Sequence, residues 1–313
     1  MNTSIPTNAR LNAASTTPAG TTGPALSARG LSKSYQSPVL TKLDLDIEQG
    51  QFVAIMGPSG SGKSTLLHCL SGMDRPTDGS VLLGDTEMTT LSEKELAALR
   101  LTRFGFVFQQ AHLMATLCLL DNIVLPGFLA GLRPRPEVTA RGEELMERMG
   151  IAELAASSVT EVSGGQLQRA GICRALINDP GIVFADEPTG ALNSATALQI
   201  LDLLGQVHAS GTTLVMVTHD AQVAVRADRV LVLVDGRIVE DLSLGRYEEA
   251  EAPSRLTTVT EALQRRSSSI KSDVLLKGGT LCWPPSLPWL RSQSKKRPGR
   301  AEMISGGWRE ISL

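Results

Sequence analysis

A bilayer-spanning helix needs about 18 or more consecutive apolar residues; this 313-residue chain contains no such run. Its first 26 residues, MNTSIPTNARLNAASTTPAGTTGPAL, hold no apolar h-region, so no secretory signal is expected there. They are rich in Thr, Ser, Ala, Asn, Gly and Pro, and residues 1–26 read as a disordered tail. Cysteine is scarce: Cys69, Cys118, Cys173 and Cys282 are scattered, with no C-x-x-C pair. That argues against a zinc site or a disulfide framework and for a reducing cytosol. There is no internal repeat and no sustained heptad pattern.

What is present is an ordinary globular composition, 42% hydrophobic with a formal net charge of −2. It suffices for one large domain or two small ones. The charge is uneven. From Ser254 onward 11 Lys+Arg face 4 Asp+Glu, a net of +7, which leaves −9 on residues 1–253. Trp283, Trp289 and Trp308 all fall in that basic end, where CWPPSLPWLRSQSKKRPGR shows neither helical nor strand periodicity. A boundary is therefore expected near Ala250, with a folded domain over 27–250 and a basic, disordered tail over 251–313. Such a tail could touch an anionic membrane surface, but a plain disordered extension is the simpler reading.

Between the tails, short apolar runs alternate with helical segments. QFVAIM (51–56), FGFVF (104–108), GIVFA (181–185), TTLVMV (212–217) and DRVLVLV (228–234) read as buried strands. KSTLLHCLSG reads as a helix closed by Gly72, and in LSEKELAALR the pair Ser92 and Glu95 forms a capping box. Residues from about Ala111 to Ser158 look mainly helical, broken by RPRP at 133–136. Apolar strands alternating with helices imply an α/β fold with a parallel sheet covered on both faces, the helical stretch being an insert at about 110–165.

The segment GPSGSGKST, Gly57 to Thr65, matches G-x-x-x-x-G-K-[ST] between a predicted strand and a predicted helix. Gly57, Gly60 and Gly62, with Pro58, Ser59 and Ser61 between them, let backbone N–H groups turn inward around phosphates. The helix beginning near Lys63 adds its positive end. Lys63 is suited to β- and γ-phosphates, Ser64 to Mg²⁺, and Thr65 closes the motif. Asp186 and Glu187 follow the strand GIVFA, where ligands of open α/β sheets bind. Asp186 is placed to hold Mg²⁺, Glu187 to orient or deprotonate a water. His219, just past TTLVMV, is a candidate γ-phosphate contact, and Gln109, just past FGFVF, could reach Mg²⁺ or the water. Tyr35 could stack on a base. Each of these singly is more often a bland surface or core residue; the phosphate loop gives them weight. A second helix start, VSGGQLQRA (162–170), also offers free N–H groups to an anion behind Ser163.

In this order, Tyr35, the loop 57–65, Gln109, VSGGQ, ADEPTGALN (185–193) and His219 resemble the ATP-binding subunit of an ATP-binding cassette (ABC) transporter over residues 27–245. The resemblance implies a P-loop NTPase-type core with a helical insert and an antiparallel β subdomain. It implies ATP and Mg²⁺ as cofactors, with Glu187 as base, Asp186 as Mg²⁺ partner, His219 as γ-phosphate sensor and Gln109 coupling ATP to the insert. It further implies that Ser163, Gly164, Gly165 and Gln166 close over ATP held by a second ATP-binding subunit, most simply a copy of this chain. Val162 stands where leucine is usual, and Asn193 where aspartate is common. DEPTGALN is similar to the branch serving lipoprotein release, macrolide export and bacitracin-type peptide resistance, whose permeases have few spans and a large external domain. That branch implies export or detoxification of peptides, antibiotics or lipid-linked substrates, at the cytoplasmic face of the cell membrane, with no nucleic-acid partner. An importer ATPase is the second reading; a soluble, non-transport ABC protein is the third.

Overall fold

A computed structural model describes residues 23–276, with side chains described to residue 265. The chain divides at Ser267, and residues up to that point form the unit that carries the site. Strands are β1 (Leu26–Ser34), β2 (Pro38–Ile47), β3 (Phe52–Met56), β4 (Asp78–Leu83), β5 (Thr86–Glu87), β6 (Phe104–Phe108), β7 (Ile182–Asp186), β8 (Thr213–Val217), β9 (Arg229–Val234) and β10 (Arg237–Ser243). Helices are α1 (Lys63–Leu70), α2 (Glu93–Arg103), α3 (Leu119–Ala130), α4 (Arg135–Arg148), α5 (Gly164–Leu176), α6 (Ser194–Ala209), α7 (Ala221–Ala224) and α8 (Ala252–Leu276).

One sheet has the order β10-β9-β3-β8-β7-β6 and is parallel except for the antiparallel edge strand β10. The apolar runs hide a period of two. Phe52, Ala54 and Met56 of β3 face the core shared with α3–α6, while Val53 and Ile55 face the core shared with α1 and the second sheet. Side chains alternate across a strand, so a sheet covered on both faces needs apolar residues at every position. The second sheet, order β2-β1-β4-β5, is antiparallel and closes over α1.

Local signals are met at α2, where Ser92 and Glu95 form the capping box, and at the RPRP break. There Gly131 ends α3 in the left-handed region and Pro134 precedes α4. The expected boundary near Ala250 is not where the described fold stops. Helix α8 begins at Ala252, its Val259 and Ala262 are fully buried, and Arg255 is only 4% exposed. The Arg255 guanidinium donates to the carbonyls of Val225, Ala227, Gly245 and Arg246 and stacks on Tyr247. An arginine so buried, with its donors on carbonyls, is part of a fold rather than of a tail. The rest of the expected C-terminal tail with its tryptophans, and residues 1–22 of the N-terminal one, lie outside the described residues.

Candidate functional site

Register brings the site together. Phe108 pairs with Asp186, Asp186 with Val217, and Ile55 with Val217, so β6, β7, β8 and β3 end at one level. Gln109, Glu187, His219 and the loop opening at Gly57 therefore emerge side by side at the carboxyl edge of the sheet, the edge at which open α/β sheets bind ligands.

The loop 57–65 has the build of a phosphate cradle. Gly57 has φ +150°, and a Cβ there would lie 2.0 Å from the Leu233 carbonyl oxygen. Gly62 is closed in from behind: a Cβ would meet Leu40 Cδ2 at 2.9 Å and the Val39 carbonyl oxygen at 3.0 Å. The turn after β9 seats on the same place, with Gly236 N–H donating to Ser61 O at 3.1 Å and Thr41 N–H to Gly236 O at 3.0 Å. Lys63 is buried, and its Nζ donates to the carbonyls of Gly57 (3.0 Å) and Pro58 (2.9 Å). Burial lowers its pKa against the pull of Glu187 and Asp186. The buried Ser61 hydroxyl has no hydrogen-bond partner. A desolvated cation bonded to neutral carbonyls beside an orphaned hydroxyl fits an anionic ligand.

Asp186 fits the cation that accompanies such a ligand. Ser64 Oγ donates to its Oδ1 at 3.2 Å. Burial raises the Asp186 pKa, while the Ser64 hydrogen bond and the charges of His68 and Lys63 pull the other way. A carboxylate short of compensation is one that a divalent ion relieves. Among the described residues no cluster of three His, Cys, Asp or Glu could hold a metal alone, so a cation here would lean on phosphate oxygens, as Mg²⁺ commonly does.

Glu187 adopts φ +47°, a conformation that costs on the order of 1–3 kcal/mol for a residue other than glycine. Its N–H is fixed on Val217 O at 2.9 Å. Its Oε2 lies 2.6 Å from His219 Nδ1, with the histidine side chain 67% exposed and the glutamate 22%. Gln109 comes to the same spot: a Cβ on Gly190 would meet Gln109 Nε2 at 2.9 Å and Glu187 Oε2 at 3.3 Å. Gly190 was not singled out from sequence, where nothing marks it beyond its place after DEPT.

Tyr35, just past β1, reaches the loop, its side chain within hydrogen-bonding reach of Thr65. Its hydroxyl donates to Asp74 Oδ2 at 2.6 Å, which raises its pKa, and Lys33 Nζ sits 4.8 Å from its ring centroid while also bonding Asp74. The ring is anchored beside the end of α1 and is 61% exposed. Asp74, the anchor, carried no sequence signal. Ser163, Gly164, Gly165 and Gln166 open α5. Ser163 Oγ accepts from Gln166 N–H at 3.4 Å and Gln166 Oε1 accepts from Ser163 N–H at 2.8 Å, a complete capping box. These bonds run between the two residues themselves and not to the loop 57–65. Asn193 caps α6, accepting from Thr196 N–H at 3.0 Å, a task Asn and Asp perform equally.

The profile of the family described as "ABC transporter" matches residues 40–190. The macrolide export ATP-binding/permease protein MacB 1/2 of Paracoccus denitrificans is 46% identical over 232 residues, which is 72% of this chain and 35% of that protein. A MacB of Rhodopseudomonas palustris is 44% identical over 229 residues, with coverage of 72% and 35%. The chain thus spans about a third of the length of these relatives. The ATP-binding cassette MJ0796, in a dimeric post-hydrolysis state bound to ADP and Pi, matches with TM-score 0.64 and 35% identity over 71% of this chain and all of that one. Another dimeric structure of that cassette gives 0.66 and 37%, with the same coverage. With a phosphate loop, a strand-end acidic pair and a capped SGGQ helix arranged on one such core, the chain belongs to the ABC transporter family as an ATP-binding cassette.

Proposed function

We propose that this chain is the ATP-hydrolysing subunit of an exporter, in which ATP-driven pairing of two subunits powers a membrane permease. The observation that carries the reading is the convergence of Lys63, Ser64, Asp186, Glu187, His219 and Gln109 at one edge of the sheet. ATP with Mg²⁺, when bound, supplies the phosphoanhydride and the divalent charge that neutralises it. Lys63 Nζ is free to trade the Gly57 and Pro58 carbonyls for phosphate oxygens. Ser64 Oγ and Asp186 would hold the cation, with Gln109 nearby. Glu187 Oε2 takes the proton of the attacking water, and His219 Nδ1 keeps that carboxylate oriented. The capped end of α5 would serve the γ-phosphate held by a second copy, giving two sites per pair.

The permease reading draws on the MacB relatives, which are named for macrolide export, and on a groove of about 430 Å³ at the sheet edge. Phe106, Phe108, His112, Met73 and Arg174 line it. It offers an apolar landing place for a short membrane-protein helix beside Gln109. Peptides, antibiotics or lipid-linked molecules are the cargo class, and the permease has few spans and a large external domain. The subunit then works at the cytoplasmic face of the membrane.

The test is affinity purification from solubilised membranes using Glu187→Gln with ATP, which holds the closed pair. A permease with a large external domain is the expected catch. A compact permease with a binding protein would move the reading to import. Ribosomes or DNA without a membrane protein would overturn it.

A further inference from the structure

Helices α5 and α6 begin against one another, and the contact is unusually close. A Cβ built on Gly165 would lie 2.5 Å from Thr196 Cγ2 and 3.7 Å from Thr196 Cβ. One residue earlier, a Cβ on Gly164 would meet Leu192 Cδ2 at 3.8 Å. One turn further along, Arg169 Nη2 donates to Gln199 Oε1 at 2.6 Å. Thr196 is itself fixed from the other side, its N–H held by the Asn193 side chain at 3.0 Å. The loop leading to Asn193 is a chain of short turns from the acidic residue: Gly190 N–H donates to Glu187 O at 3.0 Å and Leu192 N–H to Thr189 O at 3.1 Å. The same loop carries Gly190, which abuts both Gln109 and Glu187.

We infer that Thr196 is a positioning residue: its methyl group, seated on Gly165, sets the N-terminus of α5 relative to the loop Glu187–Asn193. The inference rests on the proposed ATPase reading and deepens it. The capped end of α5 and the strained Glu187 then form one mechanical unit, although they would serve different nucleotides in a pair of chains. A cavity of about 320 Å³ lies between them, lined by Gln109, Gly164, Leu167, Gln168, Ala191 and Leu192. Leu192 beside Gly164 and the Arg169–Gln199 bond support the same junction, and the Thr196 methyl against Gly165 is its tightest point. Gly165 sits in a helix with no positive φ, so alanine there is allowed by the backbone and favoured by propensity. Any loss on Gly165→Ala is then a loss through space.

The experiment uses the full chain and four variants: Thr196→Ser, Thr196→Val, Gly165→Ala, and Gly165→Ala with Thr196→Ser. Removing the methyl in Thr196→Ser is expected to lower kcat about threefold to tenfold, the range of substitutions that act through a coupled contact, with KM for ATP unchanged. Thr196→Val keeps the methyl and restores kcat. Gly165→Ala lowers both kcat and the melting temperature of the ligand-free chain. The double variant recovers both to the level of Thr196→Ser, because serine vacates the space the new Cβ needs. The inference is overturned if the double variant stays as impaired as Gly165→Ala, or if Thr196→Ser matches wild type in kcat. A wild-type chain that turns over no ATP, alone or with its permease, overturns the functional reading and this one together. Turnover without these splits overturns this one alone.

Discussion

Two histidine–carboxylate pairs occupy opposite ends of the same parallel sheet. At the amino edge, His208 Nε2 lies 3.1 Å from Asp228 Oδ2 and 2.9 Å from the Gly50 carbonyl oxygen. At the carboxyl edge, His219 Nδ1 lies 2.6 Å from Glu187 Oε2. The first pair is nearly out of solvent and enclosed: Asp228 also accepts from Phe52 N–H at 2.9 Å, and the His208 ring packs edge-on to Phe52. The second has an exposed imidazole and a strained glutamate backbone. Pairing by itself therefore says little about chemistry. Asp228 Oδ2 already takes two donors inside the fold, while its Oδ1 is buried with no partner, and the pair acts as a fastener; a carboxylate held under strain beside an open face is available to a reactant.

The largest effect separating the pairs is expected from Glu187→Gln. It should cut ATP turnover by about a hundredfold or more, the scale of a lost general base, with the melting temperature near wild type and nucleotide still bound. His219→Ala should fall in the same direction. Stopped turnover with a collapsed melting temperature would make this pair a fastener too. Next in size, Asp228→Asn leaves His208 without its charged partner. It should cost about 1–3 kcal/mol, a loss of several degrees in melting temperature for a domain of this size. ATP turnover at low temperature should hold. Turnover lost without destabilisation would erase the contrast.

Smaller still is the pH effect. The hydrogen bond to Asp228 raises the His208 pKa above its ordinary 6.5, and burial opposes it. Burial works against Asp228 ionising, but the His208 and Phe52 hydrogen bonds prevail and hold its pKa below 3.8. The histidine contribution is thus complete below pH 6.5 and lost as pH rises through the elevated value. The aspartate contribution is complete above pH 3.8 and lost as pH falls through the depressed one. Melting curves of wild type and His208→Gln should therefore differ most between those limits and converge as pH rises through the elevated histidine value. A difference that widens instead would refute the assignment. The smallest effect is expected at Tyr35→Phe, which removes the Asp74 hydrogen bond and leaves the ring. KM for ATP should change by less than about twofold, whereas Tyr35→Ala should raise it if the exposed ring stacks on the base.

Much of this was legible from residues alone. FGFVF at 104–108 is β6 to the residue, and the Ser92–Glu95 box forms. Both signals are local. The antiparallel sheet followed only from family resemblance, because β1, β2, β4 and β5 are held by pairings such as Leu26 with Leu83 that no local pattern reveals. Helix α8 did carry a signal. Leu256, Val259 and Leu263 recur at helical spacing, but they lie within a segment whose net charge suggested a tail. At the site, the residue types were readable and their meeting was not. Glu187 and His219 are brought together by the register of β7 on β8. Gly190, Asp74 and Thr196 matter through contacts that only the assembled fold creates.

The start of β2, at Val39 and Leu40, holds a lesson for modularity. It stands behind Gly62, and a Cβ on Gly236 would lie 2.2 Å from the Val39 carbonyl oxygen. The antiparallel sheet is thus the rear wall of the phosphate loop rather than an ornament on it. Recombination that brings in β1 and β2 from a distant cassette must carry a matching loop and a matching β9–β10 turn. The β9–β10 turn lies far from the other two segments in the gene, yet all three must match.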